Sequence, residues 1–249
     1  MREDLHHFSP VRFYAINIIF LIPLLVAAFL VFLIVTCTVT SVEVDGNTLI
    51  SDDEIENYVM TGKYKNNGAW DVVKNYLRKP DIPFVKDTKV SLKHFHTLTV
   101  KVTEKELTGY LRDKKNNYVY VDKNGTVTEI DQRLLGKAIP VDGLNAKKTI
   151  TVGKKYPAPE NRVAALSTIF KSMKNMGLDI DKITFGSSGQ ITLKSGTITA
   201  SLGTADRLKD KLLRLSYILP KVQDETGVLH FEDYTEDNTD IVFQKTESK

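Results

Sequence analysis

The distribution of apolar positions divides the chain sharply near residue 40. From Phe13 to Val42 no charged residue occurs, and FYAINIIFLIPLLVAAFLVFLIV (Phe13–Val35) is an almost unbroken apolar run. Roughly 20 apolar residues cross a bilayer core as a helix, so the run predicts a membrane-spanning helix over 13–36 with some tilt. Pro23 is tolerable there because neighbouring groups satisfy the carbonyl it frees. The period then changes. Thr38–Val44 alternates small or apolar with polar residues, as a half-buried strand does. Asp45-Gly46-Asn47 is a turn with Gly46 free to take positive φ. Ser51-Asp52-Asp53-Glu54 reads as a capping box, its acids favourably placed at the positive end of a helix dipole.

A second helix is predicted over Gly68–Leu77, with Trp70, Val73 and Leu77 on one stripe. That stripe predicts Trp70, the only tryptophan, as the core plug of a small domain; a carbohydrate-stacking platform is the other use of such a ring. Pro80 and Pro83 end the helix. Phe84–Leu92 is a less regular strand, and Thr97–Glu104 has period two with Leu98, Val100 and Val102 inward. The order is β-α-α-β-β.

From Leu107 the pattern shifts to short strands. Tyr118–Thr128 is a hairpin turning at Asn124-Gly125, and Ile139–Leu144 reads as a turn-rich crossing. Pro159–Met176 is a helix with Val163, Leu166, Ile169, Phe170 and Met173 on one side and Gly177 as its stop. Strands follow at Ile183–Phe185, Gln190–Leu193 and Thr197–Leu202. A helix capped by Thr204 carries Ala205, Leu208, Leu212, Leu215 and Leu219 on one stripe. Val228–Tyr234 and Asp240–Gln244 close the chain. The fold class is α+β: one N-terminal transmembrane helix, a β-α-α-β-β domain, and a second mixed α/β domain rich in antiparallel strands.

Composition narrows the function. Of 249 residues 42% are hydrophobic and 26% charged, as in ordinary globular chains, and the formal charge is only +3. No run of five Lys/Arg occurs, so the electrostatic footprint of nucleic-acid binding is missing. Cys37 is the single cysteine, which excludes an intramolecular disulfide and any thiol chemistry away from the apolar run. A cleaved signal peptide would have a core of about 7–15 residues, shorter than this run. Ile34-Val35-Thr36-Cys37 lacks the small residue a lipoprotein cleavage box wants before its cysteine. Arg2 and Arg12 precede the run, while the first basic residue after it is Lys63; this bias places the N-terminus in the cytoplasm. His94 and His96 would share a strand face but lack a third ligand, and His230 stands alone. No nucleophile or phosphate-loop motif is present. Neither catalysis, a cofactor, a metal nor a small-molecule substrate is expected.

The GN turn, the capped helix and the strand Thr97-Leu98-Thr99-Val100-Lys101-Val102-Thr103-Glu104-Lys105 resemble the POTRA domain of the FtsQ/DivIB family of bacterial cell-division proteins. Lys105 stands where Arg is usual, Leu107 where proline is usual, and Phe95-His96 where a proline often precedes the strand. A second stretch, Ser201-Leu202-Gly203 followed by Lys211-Leu212, Leu215, Ile218 and Leu219, is similar to the family pattern after its central hairpin. The resemblance implies a cytoplasmic tail (1–12), a transmembrane helix (13–36), a POTRA-like domain (38–105), a β-rich domain (106–244) and a short tail (245–249). It further implies a non-enzymatic scaffold at the division septum. Its C-terminal β region would hold bitopic FtsB/DivIC- and FtsL-like partners among other divisome components. Candidate docking residues are Val228, Phe231, Tyr234, Ile241, Val242 and Phe243, and Val242→Pro is expected to remove a strand donor offered to the partner. Two other readings are a POTRA-bearing secretion or transport accessory, which would predict tandem units or a barrel, and a membrane-anchored cell-wall enzyme.

Overall fold

The computed structural model describes residues 10–246. Most of the expected cytoplasmic tail, and residues 247–249 of the expected C-terminal tail, lie outside the described residues. The chain divides into two compact units between Glu104 and Lys105.

The first unit opens with helix α1 (Pro10–Thr36). Among the described residues no helix is long and apolar enough to cross a membrane; the side chains of residues 10–17, part of the span expected at 13–36, lie outside that description. After α1 come β1 (Ser41–Asp45), α2 (Asp52–Val59), α3 (Gly68–Leu77), β2 (Val85–His94) and β3 (Thr97–Glu104). The β-α-α-β-β order is the one its periodicities predict. The sheet runs β1-β3-β2, with β1 parallel and β2 antiparallel to β3. The central position falls to the strand with the cleanest alternation, and Leu98, Val100 and Val102 are all buried.

Local chemistry sets the β1–α2 turn. Gly46 has φ +90°, and a Cβ there would lie 2.4 Å from the Val102 carbonyl oxygen, so only glycine fits. The Glu104 carboxylate, at the end of β3, accepts the amides of Thr48 and Leu49, each at 2.7 Å, and the Thr48 hydroxyl at 2.6 Å. Burial alone would raise its pKa, but these hydrogen bonds hold it below the usual range. Ser51 caps α2 by accepting the Glu54 amide at 3.3 Å.

Helix α3 has the predicted bounds but the opposite orientation. Gly68, Asp71 and Asn75 face inward, while Trp70, Val73 and Leu77 are exposed. Trp70 is therefore not a core plug. Two contacts set the rotation. A Cβ on Gly68 would lie 2.5 Å from Leu92 Cδ2, so the start of the helix sits too close to β2 for a larger residue. Asn75 Nδ2 donates to the Val59 carbonyl at 3.2 Å, and Lys74 Nζ donates to the same carbonyl at 2.8 Å. Capping the C-terminal end of α2 requires the polar stripe inside.

The second unit contains β4 (Gly109–Arg112), β5 (Tyr118–Val121), β6 (Val127–Asp131), β7 (Ile139–Asp142), α4 (Glu160–Met176), β8 (Lys182–Phe185), β9 (Ile191–Ser195), β10 (Ile198–Gly203), α5 (Leu208–Val222), β11 (Gly227–His230) and β12 (Val242–Lys245). They build one nine-stranded sheet, ordered β12-β11-β10-β9-β8-β7-β4-β5-β6. Antiparallel pairings dominate, but β4–β7, β7–β8 and β10–β11 are parallel. Helix α4 buries Val163, Leu166, Ile169 and Phe170, as its spacing predicts, and ends at Gly177 with φ +65°.

Two local expectations are corrected. Ile139–Leu144 is not merely a turn-rich crossing, because β7 joins the two halves of the sheet. Ile139 and Pro140 pair with β4, and Val141 and Asp142 pair with β8. Such a staggered, two-residue hold on each neighbour accommodates a proline that a fully paired central strand would reject. Thr204 does not cap α5. The helix starts after Arg207 at φ 52°, and the Thr204 hydroxyl bonds Asp206 at 2.6 Å instead. Lys211, fully buried in α5, donates to the Leu202 carbonyl at 2.6 Å and the Thr204 carbonyl at 3.3 Å. It thereby closes the β10–α5 connection; burial lowers its pKa while Asp206 and Glu232 oppose the shift.

Candidate functional site

One end of the nine-stranded sheet is formed by β12, a four-residue strand with, among the described residues, a neighbour on one side only. Its pairing with β11 is antiparallel, with Gly227 opposite Lys245, Val228 opposite Gln244, Leu229 opposite Phe243 and His230 opposite Val242. The Thr246 amide donates to the Thr226 carbonyl at 2.8 Å. In an antiparallel ladder hydrogen-bonded pairs alternate, so Val242 and Gln244 direct their backbone groups at β11. Phe243 and Lys245 direct theirs outward. The outward groups are the donors and acceptors an added strand would meet.

The six candidate residues are distributed over this edge in different roles. Val242 is exposed and Ile241 and Phe243 are half-buried on the last strand; Val228 is half-buried on β11, and Tyr234 is half-buried in the loop between them. Phe231 is completely buried, so its side chain holds the end of β11 in the core and presents nothing to a partner. The register also corrects the expected effect of Val242→Pro, because the Val242 amide serves the internal ladder. Lys245, expected in the tail, is the last residue of β12.

Periodicity did not single out Gly227. A Cβ there would lie 2.4 Å from the Gln244 carbonyl oxygen and 2.8 Å from Phe243 Cε2. The Phe243 ring covers this glycine diagonally across the ladder and so pins β12 down. Such a glycine has no periodic signature; the only sequence sign is its position at the head of an apolar strand.

Electrostatics around the edge are one-sided. Between Asp224 and Asp240 there are seven carboxylates and no Lys or Arg. Lys245 pairs with Glu225 at 2.5 Å and Arg207 with Glu236 at 3.1 Å. His230 lies 3.3 Å from Glu232 and 3.2 Å from Gln244 Oε1, linking β11 to both flanking segments. Burial alone would raise the Glu232 carboxyl, but hydrogen bonds from Ser201, its own amide and His230 hold it below the usual range.

Elsewhere the surface offers open clefts. One of ≈ 620 Å³ is lined mainly by the Arg112–Asn117 turn and the Leu144–Ile150 loop. Another, of ≈ 660 Å³, runs along α4. In the second, the Ser167 and Thr168 hydroxyls donate to the Lys123 and Ala164 carbonyls, at 3.1 and 3.0 Å. Among the described residues no group of three or more His, Cys, Asp or Glu could hold a metal ion. His96 is used structurally, its Nδ1 lying 2.8 Å from the Thr38 carbonyl oxygen.

Residues 109–233 fit the family model described as cell division protein FtsQ/DivIB, C-terminal. The match begins at β4 and ends in the turn after β11, just before the edge strand. No curated protein matches the chain.

Proposed function

The chain belongs to the FtsQ/DivIB family and so has a role in cell division, and on that premise we propose that it is a bitopic, non-enzymatic scaffold of the divisome. α1 is its membrane anchor, the two folded units lie outside the cytoplasmic membrane at the septum, and β12 docks FtsB/DivIC- and FtsL-like partners. The observation that carries this reading is the open edge of β12. An added strand would take its main-chain bonds from Phe243 and Lys245 and its side-chain contacts from Val242 and its neighbours.

The anchor is supported by exposure. Every large apolar side chain from Ile18 to Phe32 is more than half exposed, a continuous surface that water would disfavour and hydrocarbon would cover. Sharing a membrane confines scaffold and partners, so a short edge interface suffices at the raised effective concentration. The acidic surroundings of the edge favour a partner strand with basic flanks, and docking should weaken as salt rises.

The test is co-reconstitution of the full-length chain with full-length FtsB/DivIC- and FtsL-like proteins of the same organism. A stoichiometric complex that weakens when β12 is displaced supports the scaffold. A well-folded chain that forms no complex in the membrane sinks it.

A further inference from the structure

Beyond α1, the outward stripe of α3 is an apolar feature of the first unit that its own fold leaves open. Trp70 is 46% exposed, Val73 50%, Tyr76 84% and Leu77 77%. Tyr64, in the preceding loop, stands edge-on to Trp70 with ring centroids 5.9 Å apart. Five large side chains within one short segment form a patch, unlike the scattered apolar residues of an ordinary surface. The inward side of the helix is already committed to Gly68, Asp71 and Asn75, so rotation cannot bury the stripe.

Three observations identify what covers it. The first is position. The Gly68 amide donates to the Cys37 carbonyl at 2.7 Å, the Val39 amide donates to the Asn66 carbonyl at 2.8 Å, and Asn67 Nδ2 reaches the Leu33 carbonyl at 3.4 Å. The start of α3 is therefore tied to the last turn of α1, and Trp70 follows within one helical turn. The second is composition: Trp and Tyr with apolar neighbours are the side chains that settle at a membrane–water interface. The third is charge. Residues 61–79 carry five basic residues and one acid, Asp71, whereas residues 43–56 carry six acids and no base. Asp71 is buried and paired with Lys74 at 3.1 Å, while Lys63, Lys65 and Arg78 are exposed. The basic end lies beside the apolar stripe, as anionic headgroups require.

We propose that α3 is an interfacial helix that lies on the same bilayer as α1, setting Trp70, Val73, Tyr76 and Leu77 into the boundary between headgroups and acyl chains. This rests on the reading of α1 as the anchor. Two attachments, one spanning and one lying on the surface, hold the first unit at fixed height and orientation, where a single helix would leave it free to swing.

Because Trp70 is the only tryptophan, its fluorescence reports directly. The full-length chain is reconstituted into vesicles of phosphatidylcholine and phosphatidylglycerol, with and without lipids brominated near the headgroup. The expected result is blue-shifted emission quenched at least about twofold by the shallow bromines, with the quenching lost in Val73→Glu/Leu77→Glu while that variant still floats with the vesicles. A chain that floats with the vesicles but shows the unquenched emission of a hydrated indole overturns the interfacial helix and leaves the anchor standing; the stripe then belongs to a protein partner. A chain that does not float overturns the anchor and this proposal together.

Discussion

Gly227→Ala tests the proposed docking edge without replacing any residue of β12. The new Cβ would stand 2.4 Å from the Gln244 carbonyl oxygen, where ordinary contact begins at 3.4 Å, so β12 must move by about 1 Å (3.4 − 2.4). Overpacking of this kind costs about 1–3 kcal/mol. The strand is only four residues long and is held by one ladder, the Phe243 ring, the Lys245–Glu225 ion pair and the His230–Gln244 contact, so the cheapest relief is to lift it off β11. If the lifted state is favoured by about 1.4–2.8 kcal/mol, the docking-competent fraction falls to roughly 0.1–0.01 and the apparent Kd rises about 10- to 100-fold. The assay is titration of the detergent-solubilised full-length chain with the proposed FtsB/DivIC- and FtsL-like partners, alongside hydrogen exchange at the Val242 and Gln244 amides. Those amides should lose protection as affinity falls, while α4 and β9 keep theirs. Faster exchange in β12 with unchanged affinity would refute the reasoning, because the partner would then be indifferent to the strand.

Proline at alternate positions of β12 separates its two sides: Lys245→Pro should weaken docking with little effect on thermal stability, whereas Val242→Pro should cost about 1–3 kcal/mol of stability measured by thermal melting. Equal effects of the two on melting would contradict the register. Glu104→Gln should destabilise the first unit by about 1–2 kcal/mol, seen as faster exchange of the Thr48 and Leu49 amides. Because folding depresses the Glu104 pKa, its contribution is complete above the ordinary glutamate value and is lost as pH falls through the lower folded one, so mutant and parent should converge in acid. Asp71 has the opposite sign: burial raises its pKa against the opposing hydrogen bond and charge of Lys74, so its cost is full at neutral pH and is relieved as pH falls through the folded value towards the ordinary one. Asp71→Asn should therefore be neutral or stabilising by about 1 kcal/mol near pH 7, since Lys74 keeps the Val59 and Thr61 carbonyls; a loss of more than about 2 kcal/mol would show the pair to be net favourable.

The parts of this chain legible in its sequence are those where one local rule decides. Strict alternation in Thr97–Glu104 places Leu98, Val100 and Val102 in the core, and the stripe of α4 together with Gly177 sets both its buried face and its end. Ser51 three residues before Glu54, and Gly46 after Asp45, mark the α2 entry because cap and turn chemistry act over four residues. Apolar periodicity failed where a polar contact or a close approach outweighed it. The stripe of α3 was readable, but its direction was set by Gly68 against Leu92 and by Asn75 on the Val59 carbonyl, contacts with residues 24 and 16 positions away. Strand β7 was hidden by Pro140 because its two half-pairings exist only when β4 and β8 flank it.

At the sheet edge proposed for docking, the sequence marks a closing strand, but not which of its backbone groups face away from β11. A strand's pattern distinguishes its two faces, since side chains alternate; it says nothing of its two edges, since every residue carries the same N–H and C=O. Only the register against β11 assigns Val242 inward and Phe243 and Lys245 outward. Elements and faces follow from local covalent order, whereas helix orientation, strand neighbours and free edges follow from contacts made between distant segments once the chain has closed on itself.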